Sequence, residues 1–373
     1  MIKLNFRIGI NATCFDDRPS GAKNRFIGIY SEVFKKLSNC EFYVYEASNV
    51  SISKWFNNFK NVHFIKTNIP SSGKIVKYIK SVIFWKLLKN EIDLDIFETF
   101  HLPLFSNKVK INILTIHDLR PFLSKNFFYK YLFYFILNKS LKNANKIITV
   151  SNFINNELSK FTEKNKISTV YNGLLLYNNN YSKTLHTLEN YKINEKFILS
   201  VGHFEKRKNY LNLIKAFDYN KYIKKNYNLV IVGNDNGYKK KIIQTIKSNN
   251  LQKKIILISN LPDTQLRSLY QLSEMFVFPT YYEGFGIPVI EAMYFKKPIA
   301  TSNLKVLKEI SNNHVTYFEP NNIYDISTKI EKLLKSKKLQ NIQIKNYKNI
   351  LKKFNYDTIS ENIINIYSNK LSK

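Results

Sequence analysis

Acidic side chains are scarce in this chain, 27 Asp plus Glu against 58 Lys plus Arg, and the formal charge is +31. A surplus of that size draws anions of any kind, whether nucleic acid, a phosphorylated substrate or an anionic membrane face. Part of it is compositional, because Lys, Asn, Ile, Tyr and Phe recur even on stretches with no other signal. No compact basic motif or aromatic platform accompanies the charge, so nucleic acid is not expected as a partner. Cysteine is limited to Cys14 and Cys40, a spacing that suits neither a metal clamp nor a redox pair. That argues against a disulfide framework and fits a reducing cytoplasm. No apolar run approaches the roughly 18 to 20 residues that span a bilayer. The opening MIKLNFRIGINATCF, broken by Arg7 and Asn11, lacks the apolar core of a signal peptide. The expectation is a cytoplasmic protein, soluble or peripheral at the inner face of the cell membrane. No metal-ligand cluster and no internal repeat appears, and no G-x-G-x-x-G follows the first strand, which argues against a nicotinamide dehydrogenase. Neither a metal nor a cofactor is expected.

What is present is alternation. Phe6–Ile10, Phe42–Tyr45, Val62–Ile65, Leu94–Phe97, Ile111–Ile116, Lys146–Val150 and Ile167–Tyr171 read as buried strands, separated by helical patterns such as 23–37 and 75–88. The pattern dissolves between Leu174 and Asn194, then resumes from Phe197 to about Leu334. Two successive alternations predict an α/β protein with two doubly wound, Rossmann-like domains whose parallel sheets face across a cleft. Their expected extents are 1–177 and 195–340, with 341–373 as a helical segment packing across both. Ser151 and Asp263 are expected helix caps. The stretch from Asn126 to Lys142, NFFYKYLFYFILNKSLK, is aromatic on nearly every side. It reads either as an interfacial helix whose rings meet lipid and whose lysines meet anionic head groups, or as a crossover helix packed in a core. Asp93-Leu94-Asp95 resembles a two-aspartate metal pattern, but it leads into an apolar strand and is discounted.

The chemistry concentrates in FPTYYEGFGIPVIEAMYFKKP, Phe278 to Pro298. A buried strand ends at Pro279 and a glycine turn opens a short apolar helix, which aims backbone N–H groups and the positive helix end at one point suited to a diphosphate. Glu283 and Glu291 flank that point, and carboxylates accept from sugar hydroxyls; a nucleotide sugar has this layout. A second strand-to-helix junction, Gly202 to Asn209, carries Arg207, a planar fork, and Lys208, a point charge, both suited to a phosphate leaving group. In the first half, His117 and Asp118 stand at the end of a strand, where open α/β sheets bind ligands. His101 follows another strand, and Gly21 sits where a loop meets a helix, suited to close approach of a phosphate.

Gly202 to Phe217, the EGFGIPVIEAM run, Pro298 to Asn303 and Glu309 resemble the retaining glycosyltransferases of the GT-B fold, the large group typified by bacterial mannosyl- and other hexosyltransferases. The resemblance is densest over 195–335; ILTIHDLRP and KIITVSNF extend it into the first half. It implies that Glu291 holds the ribose, and that Glu283 with the backbone of Phe285 and Gly286 positions the donor sugar. Arg207 and Lys208 would stabilise the departing diphosphate, Gly202 and Gly21 would line the donor, and His117 would stand beside sugar and acceptor, with His101 and Asp118 on the acceptor side. The implied activity is retaining transfer of a hexose, mannose favoured, from a GDP-, UDP- or dTDP-linked donor to a lipid-linked surface glycan, at an anionic membrane surface. A non-catalytic nucleotide-sugar-binding or scaffold protein of the same fold is the alternative. One departure has a physical consequence. Members carry a small residue and Gly after EAM, where this chain has Tyr294-Phe295-Lys296-Lys297; a left-handed Lys296 would cost about 1 to 2 kcal/mol.

Overall fold

The computed structural model describes residues 6–17, 20–87, 93–104, 109–174, 189 and 191–371, and the chain divides into two compact units. The first comprises Met1–Leu175 and Phe354–Lys373, the second Leu176–Lys353. Most of the expected linker, 175–188, lies outside the described residues.

In the first unit, seven strands alternate with helices: β1 (Arg7–Asn11), α1 (Gly21–Lys36), β2 (Glu41–Glu46), β3 (Val62–Lys66), α2 (Lys74–Leu87), β4 (Ile96–Thr99), β5 (Ile111–Ile116), α3 (Phe127–Asn143), β6 (Lys146–Thr149), α4 (Asn152–Leu158) and β7 (Ile167–Thr169). The strands form one sheet in the order β3-β2-β1-β4-β5-β6-β7, parallel throughout. Side-chain caps set the helix starts: Ser20, Asn126 and Ser151 each accept a backbone N–H three residues on. The fourth strand begins two residues later than expected, at Ile96. Asp95 instead holds the edge of β1, its carboxylate accepting from the Arg7 N–H at 3.1 Å. Cys14 and Cys40 are not joined in a disulfide.

The second unit repeats the scheme: β8 (Phe197–Val201), α5 (Tyr210–Tyr219), α6 (Lys221–Asn226), β9 (Asn228–Val232), α7 (Lys239–Ser248), β10 (Ile255–Ile258), α8 (Asp263–Leu272), β11 (Met275–Phe278), α9 (Ile287–Tyr294), β12 (Ile299–Ser302), α10 (Lys305–Ser311), β13 (Thr316–Phe318), α11 (Ile323–Lys335) and α12 (Lys337–Leu351). Its sheet runs β10-β9-β8-β11-β12-β13, again all parallel. Asp263 is not a cap. Pro262, whose ring fixes an extended entry, takes that position, and Asp263 lies in the first turn.

Helix α13 (Tyr356–Leu371) returns to the first unit. The stretch 341–373 is therefore shared, its first part in α12 with the second unit and its last in α13 with the first. Tyr356 fits where a Cβ on Gly28 or on Gly173 would stand 2.2 or 2.6 Å from its ring. Further along α13, Tyr367 donates to Glu98 of β4 at 2.6 Å, as does Tyr30 of α1 at 2.6 Å, while Thr115 of β5 donates to the other carboxylate oxygen at 3.0 Å. Burial raises the Glu98 pKa in spite of these donors.

The opposite face of that sheet is unlike a closed core. Both α2 and α3 belong to crossovers that step toward β7, so right-handed connections place them on one face. Trp85 of α2 packs against Tyr45 and Phe97, but Val76, Tyr78, Ile79 and Ile83 are exposed. On α3 the buried residues are Leu137, Ser140 and Leu141, and Phe127 and Phe128 are 81% and 74% exposed, with Tyr131 and Phe135 also in solvent. The aromatic part of this helix is not core.

Candidate active site

In each sheet the order of strands reverses between the strand that comes first in the sequence and its neighbour, β1 and β4 in one unit, β8 and β11 in the other. Open parallel sheets bind ligands at the carboxyl ends of such strands. In the second unit, the residues just beyond β8 and β11 are the two motifs Gly202–Asn209 and Pro279–Gly286.

The motifs are stitched together by their backbones. The Tyr281 N–H donates to Arg207 O at 2.7 Å, and the Thr280 hydroxyl lies 3.1 Å from the same carbonyl. Asn209, left-handed at φ 59°, donates its side-chain amide to Pro279 O at 3.0 Å and Pro320 O at 2.7 Å. Asn tolerates that conformation better than most residues, so one side chain both turns the chain into α5 and ties it to β11. Tyr210 closes the loop by donating to Gly202 O at 2.7 Å.

The result is a compact charge cluster. One oxygen of Glu283 accepts from Arg207 Nη1 at 2.6 Å and from Lys208 Nζ at 2.5 Å. The other arm of the guanidinium meets Glu205 Oε1 at 2.6 Å. Burial opposes ionisation of Glu283, but Lys208 and Arg207 outweigh it and hold its carboxyl below the ordinary carboxylate range. Burial also lowers the Lys208 pKa, against the pull of Glu283. The Lys208 ammonium lies 4.8 Å from the centre of the Phe278 ring.

On the same turn, Phe285 is buried and Gly286 has φ +118°, a conformation L side chains avoid. A Cβ there would also come within 2.8 Å of Leu307. Glu291, one turn into α9, accepts from the Tyr270 hydroxyl at 2.9 Å, and burial pushes its pKa up to about 7. The helix ends as feared for Lys296, at φ 54°. Lys296 N–H bonds to Met293 O and Lys297 N–H to Ala292 O, both at 2.9 Å, a Schellman pair with lysine in the left-handed place that glycine usually fills.

The remaining predicted residues belong to the first unit. Gly21 is the first residue of α1, and His101 and His117 follow the adjacent strands β4 and β5. Asp118 is engaged locally, accepting from the Arg120 N–H at 3.0 Å and pairing with its guanidinium at 2.7 Å. Among the described residues, His117 Nε2 and His101 Nδ1 are buried with no hydrogen-bond partner. Burial, then the nearby Arg25, pushes the His117 pKa down to about 4; burial, then Lys77, pushes His101 to about 3. Both imidazoles are neutral at physiological pH.

Residues 186–350 match the family "Glycosyl transferases group 1". Over 222 residues the chain is 31% identical to the O-antigen chain mannosyltransferase RfbU of Salmonella typhimurium, a match covering 59% of this chain and 58% of that relative. Within the second unit, 186–350 is therefore a group 1 glycosyltransferase domain. Among solved structures, WaaG, a glycosyltransferase involved in lipopolysaccharide biosynthesis, superposes with TM-score 0.75 at 15% identity, over 96% of this chain and 99% of its own. Anabaena HepE in complex with UDP-glucose gives 0.75 at 16%, over 98% and 100%. The two parallel α/β units of this glycosyltransferase are the GT-B fold.

Three residues that shape the site of the glycosyltransferase carried no assignment in the sequence. Thr280 had a visible signal, since it directly follows the strand-ending Pro279. Glu205 lies inside the basic motif, where a carboxylate among cations is itself a cue. Tyr270 had none; its place beside Glu291 depends on how α8 packs.

Proposed function

We propose that this glycosyltransferase moves a hexose, with mannose favoured, from a nucleotide diphosphate sugar to a hydroxyl of a lipid-linked surface glycan, retaining the anomeric configuration. The observation that carries the reading is the cluster of Arg207, Lys208 and Glu283 at the reversal point of the second sheet, with Glu291 on the helix that opens beside it. Two cations there can neutralise a diphosphate as its charge grows, the electrostatic part of leaving-group departure. Glu283 turns from those cations to the sugar hydroxyls, and Glu291 accepts from the ribose. Neutral His117 offers an unpartnered ring nitrogen to the sugar or the acceptor. The acceptor oxygen bonds to the anomeric carbon as the carbon–phosphate-oxygen bond breaks, and the acceptor proton passes to the departing diphosphate. The named activity of the Salmonella relative supports mannose, and the UDP-glucose held by the Anabaena neighbour supports a nucleotide donor. The exposed apolar face of α2 and α3, with Lys80, Lys139 and Lys142 in solvent beside it, supports an acceptor presented at an anionic membrane.

The test pairs donor binding with turnover. Thermal shift against GDP-, UDP- and dTDP-sugars identifies the donor, because a ligand stabilises by RT ln(1 + [L]/Kd). Transfer from that donor is expected to be lost in Glu283→Ala and kept in the exposed-lysine control Lys240→Ala. Donor binding without transfer in the unmutated protein would instead favour a nucleotide-sugar-binding scaffold.

A further inference from the structure

Arg207 has two carboxylate partners, and only one of them has a role in the reading above. We propose that Glu205 is a positioning residue: it keeps the Arg207 guanidinium aimed at the diphosphate when Glu283 turns away to the sugar. The inference rests on the proposed function.

The geometry separates the two carboxylates. Glu283 Oε1 takes Arg207 Nη1 at 2.6 Å and Lys208 Nζ at 2.5 Å, and Nη1 also donates to Tyr282 O at 2.9 Å. Among the described residues, Glu205 Oε1 pairs with the other arm, Nη2, at 2.6 Å, a charge contact rather than an aligned hydrogen bond. It is itself anchored at the start of the motif, where its N–H bonds to His203 O at 2.8 Å, its carbonyl accepts from Lys208 N–H at 3.1 Å, and its Oε2 accepts from the Asn236 amide at 3.3 Å. Both carboxylates are mostly buried, 14% exposed for Glu205 and 11% for Glu283. Two cations and two anions therefore balance before any ligand arrives. When Glu283 rotates to accept from sugar hydroxyls, both cations are released to the diphosphate, and Arg207 keeps one side-chain anchor, Glu205. The planar fork lets one arm stay fixed while the other serves the ligand.

The charge balance gives a signature that plain destabilisation does not share. Glu205→Gln keeps the size of the side chain and takes one negative charge from the cluster, so nucleoside diphosphate is expected to bind as well as or better than in the wild type. A less well aimed guanidinium costs turnover, and kcat is expected to fall about a hundredfold while donor KM does not rise. In an Arg207→Gln background the same substitution is expected to cost nothing further, because Glu205 acts through Arg207. Asn236→Ala, at an exposed side chain, loosens Glu205 from its other side and is expected to lower kcat by a smaller factor in a folded protein, so the outcome does not hang on one variant.

Steady-state kinetics and nucleotide titration on these variants decide the matter. Wild-type kcat in both Glu205→Gln and Asn236→Ala overturns the proposal, as does a Glu205→Gln loss that is undiminished in the Arg207→Gln background. A wild-type chain that neither binds nor turns over any nucleotide sugar removes the glycosyltransfer reading, and this proposal with it.

Discussion

Glu291 has a carboxyl that burial brings into the working pH range. Its folded pKa, about 7, lies above the ordinary 4.5 because burial favours the neutral acid. The stability it lends is thus complete below about 4.5 and lost as pH rises through about 7. Ribose hydroxyls donate best to the ionised form, so nucleotide affinity is expected to rise as pH climbs through about 7 and to be flat in Glu291→Gln; calorimetric titration across that range checks it. His101 and His117 act on the other flank. Their folded values, about 3 and about 4, lie below the ordinary 6.5, so stability is lost as pH falls from about 6.5 toward 4, where the unfolded chain takes protons the native sites refuse. Lys296 supplies a second prediction at this scale. Its left-handed backbone should make Lys296→Gly stabilising by about 1 kcal/mol, since relief of strain exceeds the added chain entropy, and a raised Tm would show it. The placement of Arg207, Lys208, Glu283 and Glu291 beside strand-to-helix junctions was legible in the sequence because it is a local pattern. Tyr270 was not, because a hydroxyl 21 residues from its partner is placed by packing alone.

At the scale of elements, α3 is where local pattern ran out. Rings on nearly every side of a helix fit a core and an interface equally well, and only the tertiary structure shows which rings have neighbours. Those at the start, Phe127, Phe128, Tyr131 and Phe135, have little cover. Replacing Phe127, Phe128 and Phe135 together by Ser is expected to abolish co-sedimentation with anionic vesicles while leaving the melting temperature within a degree or two, because exposed side chains contribute little to folding. Undiminished vesicle binding in that variant would locate the membrane contact elsewhere or remove it. Binding should also weaken with salt, as screening of lysine contacts requires. The misjudged cap at Asp263 has a related cause: Pro262 can start a helix by its ring geometry alone, without any side-chain acceptor.

For the whole molecule, alternation of strand and helix was enough to reveal two parallel sheets, since each crossover forces the next strand into the same sense. The ownership of the last helices was hidden. Both α12 and α13 are amphipathic, and what assigns α13 to the first unit is the fit of Tyr356 beside Gly28 and Gly173 and the reach of Tyr367 to Glu98. Tyr367→Phe strips one donor from a fully buried carboxylate and is expected to cost about 1 to 3 kcal/mol, read as a lower denaturation midpoint of the first unit with nucleotide binding by the second unchanged.

That contact also sets an order of events during synthesis. Residues 354–371 are made after every strand of both sheets, yet the carboxylate of Glu98, made far earlier, finds one of its donors only there. The second unit is contiguous in the chain, whereas the first is made in two separate pieces. The first cannot complete its packing beside α1 until α13 has been made and Tyr356 and Tyr367 take their places. The half of the protein that is translated first is the half completed last.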